Sequence, residues 1–157
     1  MKQGLLLLLL LSCTVAFSQA KKADADPWAG NWKLDTAKSK IHGPAPKEEI
    51  LTLDAVSKDS IKYTFKGTDA EGKAYTESFD GKVGTASAVM LDGKEVAQLT
   101  YQMPSSHELT ADARANNGSS ATAKVTLSKD NKTVTVQEHH KKANGEQHDQ
   151  TMVYARQ

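Results

Sequence analysis

Residues 57–79 read SKDSIKYTFKGTDAEGKAYTESF. Ile61, Tyr63 and Phe65 alternate with Lys62 and Thr64, the period of a half-buried strand and not of a helix. DAEGK then interrupts with a Gly-bearing turn of hairpin size, and a second strand-like run follows. The same grammar extends in both directions. KVTL (124–127) and TVTV (133–136) alternate in the same way, and DGKVG, LDGKE, MPSS, NNGSS, KDNK and ANGE punctuate the chain at near-regular intervals. The best helical candidate, around Ala111 to Ala115, is ended at once by Asn116-Asn117-Gly118. The pattern predicts strands beginning near Trp28, Glu48, Ser60, Lys73, Thr85, Lys94, Ser106, Ser120, Lys132 and Gln147. One longer connection, DTAKSKIHGPAPK (35–47), contains Pro44 and Pro46, which exclude regular pairing there. Sequential antiparallel strands in this number imply an all-β fold, an up-and-down β-barrel of about 8–10 strands whose closure leaves no exposed edge. SKDSIKYTF (57–65) and SKDNKTVTV (128–136) each open a similar hairpin, through duplication or through shared hairpin grammar.

The first twenty residues, MKQGLLLLLLLSCTVAFSQA, follow different rules. Lys2, a leucine run and the small residues of Ser18-Gln19-Ala20 match a secretory signal peptide, too short for a membrane span. The expected organisation is a signal peptide over 1–20, a flexible segment over 21–27 and one barrel domain over 28–157. A second reading of the same segment makes LLSC a lipoprotein signal with Cys13 acylated. The expected location is secreted or periplasmic. Removing residues 1–20 takes away Lys2, so the 20 basic groups become 19 against 19 acidic ones. That neutral balance gives no footing for nucleic acid. Cys13 is the only cysteine, so the processed chain stands on its core without disulfides.

WAGNWKLD (28–35) carries a resemblance. Gly30-x-Trp32 on a first strand resembles the opening of lipocalins and fatty-acid-binding proteins, and the ending TMVYARQ (151–157) resembles the last strand of the latter. GNWKLDTAKSKI with the following GPAPK is similar to small secreted bacterial proteins of lipocalin-like type. The resemblance implies a calycin-type barrel with Gly30, Trp32 and Arg156 as structural residues, the guanidinium stacking on the indole at the closed end. It also implies a helical lid after the first strand, for which residues 35–47 are too short. An Arg-x-Tyr carboxylate clip is broken as well, because Met152 precedes Tyr154 where the arginine would stand. Trp28, near the processed terminus, is expected to be the more exposed tryptophan.

EHHKKANGEQHD (138–149) concentrates three of the five histidines. A two-residue turn centred on Asn144-Gly145 would pair Lys141 with His148, His140 with Asp149 and His139 with Gln150. His139 and His148 would then share a face as diagonal neighbours, able to hold a soft transition metal only weakly for want of ligands. The plainer expectation is a solvated hairpin tip, with no metal site and no cofactor.

Other chemistry is thin. The serines occupy NGSS, PSSH and TASA, none a nucleophile elbow, and TDAEGKAYTE places its glycine too early for a calcium loop. No catalytic residue emerges, and the chain is expected not to be an enzyme unless a polar cluster faces the barrel interior. The expected function is an exported, monomeric binding module for a small apolar molecule, held by Tyr63, Phe65, Tyr101, Met103 and Tyr154, with Ile61 beside them. The alternative is a packed structural or protein-interaction barrel. N-terminal sequencing of the protein from its own host is expected to find a first residue near Lys21; an acylated Cys13 would overturn this.

Overall fold

A computed structural model describes residues 26–157. The signal-peptide and lipoprotein readings of residues 1–20 therefore lie outside the described residues. Ten strands follow one another: β1 (Gly30–Leu34), β2 (Glu48–Val56), β3 (Ser60–Thr68), β4 (Ala74–Lys82), β5 (Ser87–Leu91), β6 (Lys94–Ser105), β7 (Glu108–Ala115), β8 (Ser120–Leu127), β9 (Thr133–Lys141) and β10 (Gln147–Arg156). Each starts within two residues of its expected position. Every strand pairs antiparallel with its sequence neighbours, and β10 returns to β1, which closes an up-and-down barrel. The expected all-β barrel is the observed one. Short turns make this topology local: Asp92 and Gly93 both have positive φ, the requirement of the tight two-residue turn that joins β5 to β6. No helix among the described residues is long and apolar enough to cross a membrane.

Period-two alternation sorts the side chains. Leu51 and Leu53, Ile61 and Tyr63, Val134 and Val136 point inward and are buried. The outer face carries ion pairs such as Lys62–Asp80 and Lys124–Glu108, which suit water and not lipid. Alanines interrupt the large residues on two adjacent strands. Ala111 faces Ala123 and Ala113 faces Ala121 across β7 and β8, so this wall leaves space inside instead of filling it. That accounts for the helix-like composition of Ala111–Ala115 in what is a strand.

The end where β1 starts is plugged. Trp28 and Trp32 are both 0% exposed. The Trp32 indole donates to the Trp28 carbonyl at 3.0 Å, and the Trp28 indole donates to the Ser106 carbonyl at 2.8 Å. Trp32 and Arg156 are direct cross-strand partners, and the guanidinium carbon lies 4.1 Å from the indole centroid. Gly30 has φ +137°, and a Cβ there would come within 2.9 Å of the guanidinium, so glycine is required on both counts.

The expectation for Trp28 fails. Asp26 accounts for it: its carboxylate accepts from the amides of Trp28 at 2.9 Å and Val56 at 2.8 Å, which folds the chain entry back over the barrel mouth on that side. Pro27 adds a carbonyl that accepts from Arg156. Residues 26 and 27, assigned above to a flexible segment, thus belong to the plug.

At the opposite end, residues 35–47 strap along β10. Lys40 and Thr151 exchange both backbone hydrogen bonds, at 2.7 and 2.8 Å, and Ser39 Oγ accepts from the Val153 amide at 2.9 Å. This single bridge precedes the two prolines, consistent with their exclusion from pairing.

Trp28→Ala and Trp32→Ala are each expected to cost about 3–5 kcal/mol, the range for emptying a buried aromatic site. Chemical denaturation measures this. In single-tryptophan variants both indoles should emit blue-shifted and resist quenching.

Candidate functional site

Above the plug lies an interior cavity of about 230 Å³. Its lower wall is aromatic. Tyr63 on β3 stacks on Phe79 of β4 at 5.5 Å between centroids and meets Phe65 edge-on at 5.3 Å. Tyr101 on β6 presents its edge to Phe79 at 5.5 Å. Such offset and edge-on pairs are the favoured arrangements of aromatic quadrupoles. Leucine and valine complete the ring, and the alanine wall of β7 and β8 keeps the far side open.

The cavity is not purely apolar. Glu77, Glu138 and His140 also line it. Glu77 follows from the alternation of β4, where Tyr75, Glu77 and Phe79 share a face. Its Oε1 accepts from the Tyr63 hydroxyl at 3.1 Å. Burial pushes the Glu77 carboxyl above the usual carboxylate range; the charges of Glu49 and Glu138 push the same way, against the Tyr63 hydrogen bond. Burial likewise raises the hydroxyls of Tyr63 and Tyr101, with nearby carboxylates adding to the shift. Glu138 and His140 continue the inward row of Val134 and Val136 on β9. Glu138 Oε2 meets His140 Nε2 at 2.8 Å and accepts from Gln150 Nε2 at 2.6 Å. Glu49 sits nearby at the open end, accepting from the hydroxyls of Tyr154 at 2.6 Å and of Tyr75.

The histidines do not fall where a two-residue turn would put them. Lys142 pairs with Glu146 through the backbone, and the Gly145 amide donates to the Lys142 carbonyl at 2.9 Å. Three residues, Ala143 to Gly145, therefore form the loop, with Gly145 at φ +89°. Glycine at the last loop position is the signature of this longer turn. One extra loop residue shifts the register by one and moves side chains to the other face. His140 now faces His148, and His139 faces Asp149. His139 stays outside, 2.7 Å from the Asp149 carboxylate. His139 and His148 lie on opposite faces and cannot share a metal.

His140, His148 and His42 of the strap stack at the open mouth, with centroids 4.8 Å and 3.9 Å apart. Imidazole lone pairs lie in the ring plane, so stacked rings do not aim them at one point; no group of three metal ligands forms among the described residues. This corrects the picture of a wholly solvated tip: His148 Nδ1 is buried and has no hydrogen-bond partner.

Of the five residues expected to hold a ligand, Tyr63, Phe65 and Tyr101 line the cavity. Tyr154 lies behind its wall, buried, with its ring 6.0 Å from Phe65 and its hydroxyl committed to Glu49. Met103 keeps the inward parity of Leu99 and Tyr101 on β6 but lies nearer the closed end, partly buried against the core; it lines a crevice near Lys58 and Val83 and not the cavity. Ile61 is buried below the cavity. Glu77, Glu138 and His140 were missed, although their strand parity with Phe79 and Val136 was readable.

No family model matches the chain, and no curated protein matches it. Solved structures with a similar course include EF1p2_mFAP2b bound to DFHBI, at 11% identity and TM-score 0.46, covering 85% of this chain and 96% of that one. A redesigned beta barrel, mFAP1, bound to DFHBI matches at 9% identity and TM-score 0.46, over 83% of this chain and 95% of that one. A fluorescence-activating beta barrel of de novo design matches at 12% identity and TM-score 0.45, over 86% of this chain and 99% of that one.

The Glu138 hydrogen bond raises the His140 pKa, outweighing burial, whereas burial and the neighbouring His42 and His140 lower that of His148. A raised imidazole pKa contributes stability below the ordinary value and loses it as pH rises through the folded value; a lowered one costs stability as pH falls through the ordinary value. An NMR titration is expected to show His140 keeping its proton to higher pH than His148, and Glu138→Gln should bring the His140 midpoint down.

Proposed function

We propose that this chain is an exported binding module that takes one small, largely apolar molecule into the barrel interior. One observation carries the reading: a cavity of about 230 Å³ walled by Tyr63, Phe65 and Tyr101 on one side and by four alanines on the other. A packed structural barrel would place large side chains where Ala111, Ala113, Ala121 and Ala123 stand. A dry engineered cavity of ~150 Å³ holds benzene, so the volume here suits a ligand of one substituted ring. Export is supported by the leucine-rich segment ending at Ala20. A lipocalin-like affiliation is supported by Gly30, Trp32 and the overlying Arg156 at the closed end. The fatty-acid form of that affiliation is disfavoured, because the Tyr154 hydroxyl meets a carboxylate of the protein itself.

The Glu138–His140 pair favours a second, catalytic reading, as a general acid–base pair facing the cavity. Serine, threonine, cysteine and lysine are missing from the lining, and the Tyr63 hydroxyl is committed to Glu77. Binding without chemistry accounts for more of the site.

Ala123→Leu puts a branched side chain into the open half of the cavity. It should abolish binding of a small aromatic probe such as toluene, followed by NMR, while the circular dichroism of the barrel is unchanged. Undiminished binding in this variant would place the site elsewhere.

A further inference from the structure

We propose that the cavity ligand carries a compact organic cation, a protonated primary amine on a single aromatic ring, read by Glu77 and Glu138. This rests on the cavity-binding reading above and names its ligand class. The lining contains two carboxylates and no lysine or arginine. Glu77 makes no ion pair among the described residues, and its one hydrogen bond, from Tyr63, goes to Oε1. Glu138 meets only an imidazole as a charged partner, and both of its hydrogen bonds go to Oε2. Among the described residues, Glu77 Oε2 and Glu138 Oε1 thus have no protein donor, while both side chains border the cavity. Glu49, held by two tyrosine hydroxyls, adds a third negative group close enough for its charge to act on Glu77.

A neutral apolar ligand would displace water from these carboxyls and offer nothing in exchange, which is the costly way to bury a polar group. An ammonium supplies both the donors and the opposite charge. Tyr63, Phe65 and Tyr101 border the same space, and aromatic rings attract a cation through their quadrupoles. Apolar wall, aromatic rings and open carboxylate oxygens therefore converge on one chemistry. Scaled from the ~150 Å³ that hold benzene, the cavity takes about nine non-hydrogen atoms, the size of 2-phenylethylamine.

The test compares 2-phenylethylamine with its neutral isostere n-propylbenzene by NMR titration of the purified protein at neutral pH. The amine should bind at least about tenfold more tightly. Glu77→Gln, which keeps shape and removes charge, should erase that preference by weakening the amine relative to n-propylbenzene. Glu138→Gln provides a second variant should the first fail to fold, and it should weaken the amine in the same direction. Equal affinity for the two probes, or an amine affinity that survives both substitutions, would sink the cation while leaving the cavity reading intact. If neither probe shifts any resonance of a cavity residue, the cavity reading falls and this inference with it.

Discussion

The stack of Arg156 on Trp32 is the constraint from which the rest of the barrel follows. It joins the last strand to the first, and it does so at a position where the two residues are direct cross-strand partners. The guanidinium donates to the carbonyls of Asn131 at 2.7 Å and Ala29 at 2.8 Å, and to that of Pro27. A planar, five-donor cation can serve three backbone acceptors at once while lying flat on an indole; a lysine could not. Chain entry, chain exit and the β8–β9 turn are thereby tied to one side chain. Closing the barrel at this end also gives the interior cavity a floor.

The interior is graded from that floor outward. Tryptophans, Ile61 and Leu127 fill the closed end, aromatic rings and alanines surround an open middle, and carboxylates with imidazoles gather at the mouth. The gradient has a physical logic. Charged groups are tolerable where water reaches them and costly where it does not. Glu77 is the exception, set deeper among aromatic neighbours, where burial raises its pKa.

One local irregularity decides which histidine reaches the site. A third loop residue between β9 and β10 turns His140 inward and His139 outward. The residue types are compatible with either placement, and a single backbone residue settles the matter. Met103 keeps the inward parity of Leu99 and Tyr101 and stays out of the cavity only because it lies nearer the closed end.

The fold was legible because its determinants are local. Alternation in IKYTF and TVTV, and turn residues such as Asp92-Gly93, specify strands and hairpins without reference to distant parts of the chain. A meander of such hairpins has one economical way to protect its edges, and closure then brings Trp32 and Arg156 together. Half of the candidate site was legible on the same grounds, through the inward parity of Tyr63 and Phe65 on one strand and of Tyr101 on another. The meeting of Glu77 from β4 with Glu138 from β9 was not, because parity tells which face a residue takes but not what lies across the barrel. Nor was the burial of Trp28, which depends on Asp26 bonding to an amide thirty residues away. The sequence by itself determined the strands, their order and the sidedness of most residues, all set by neighbours in the chain; the tertiary structure alone decided the cavity's polar chemistry, because that is a property of groups brought together from separate strands.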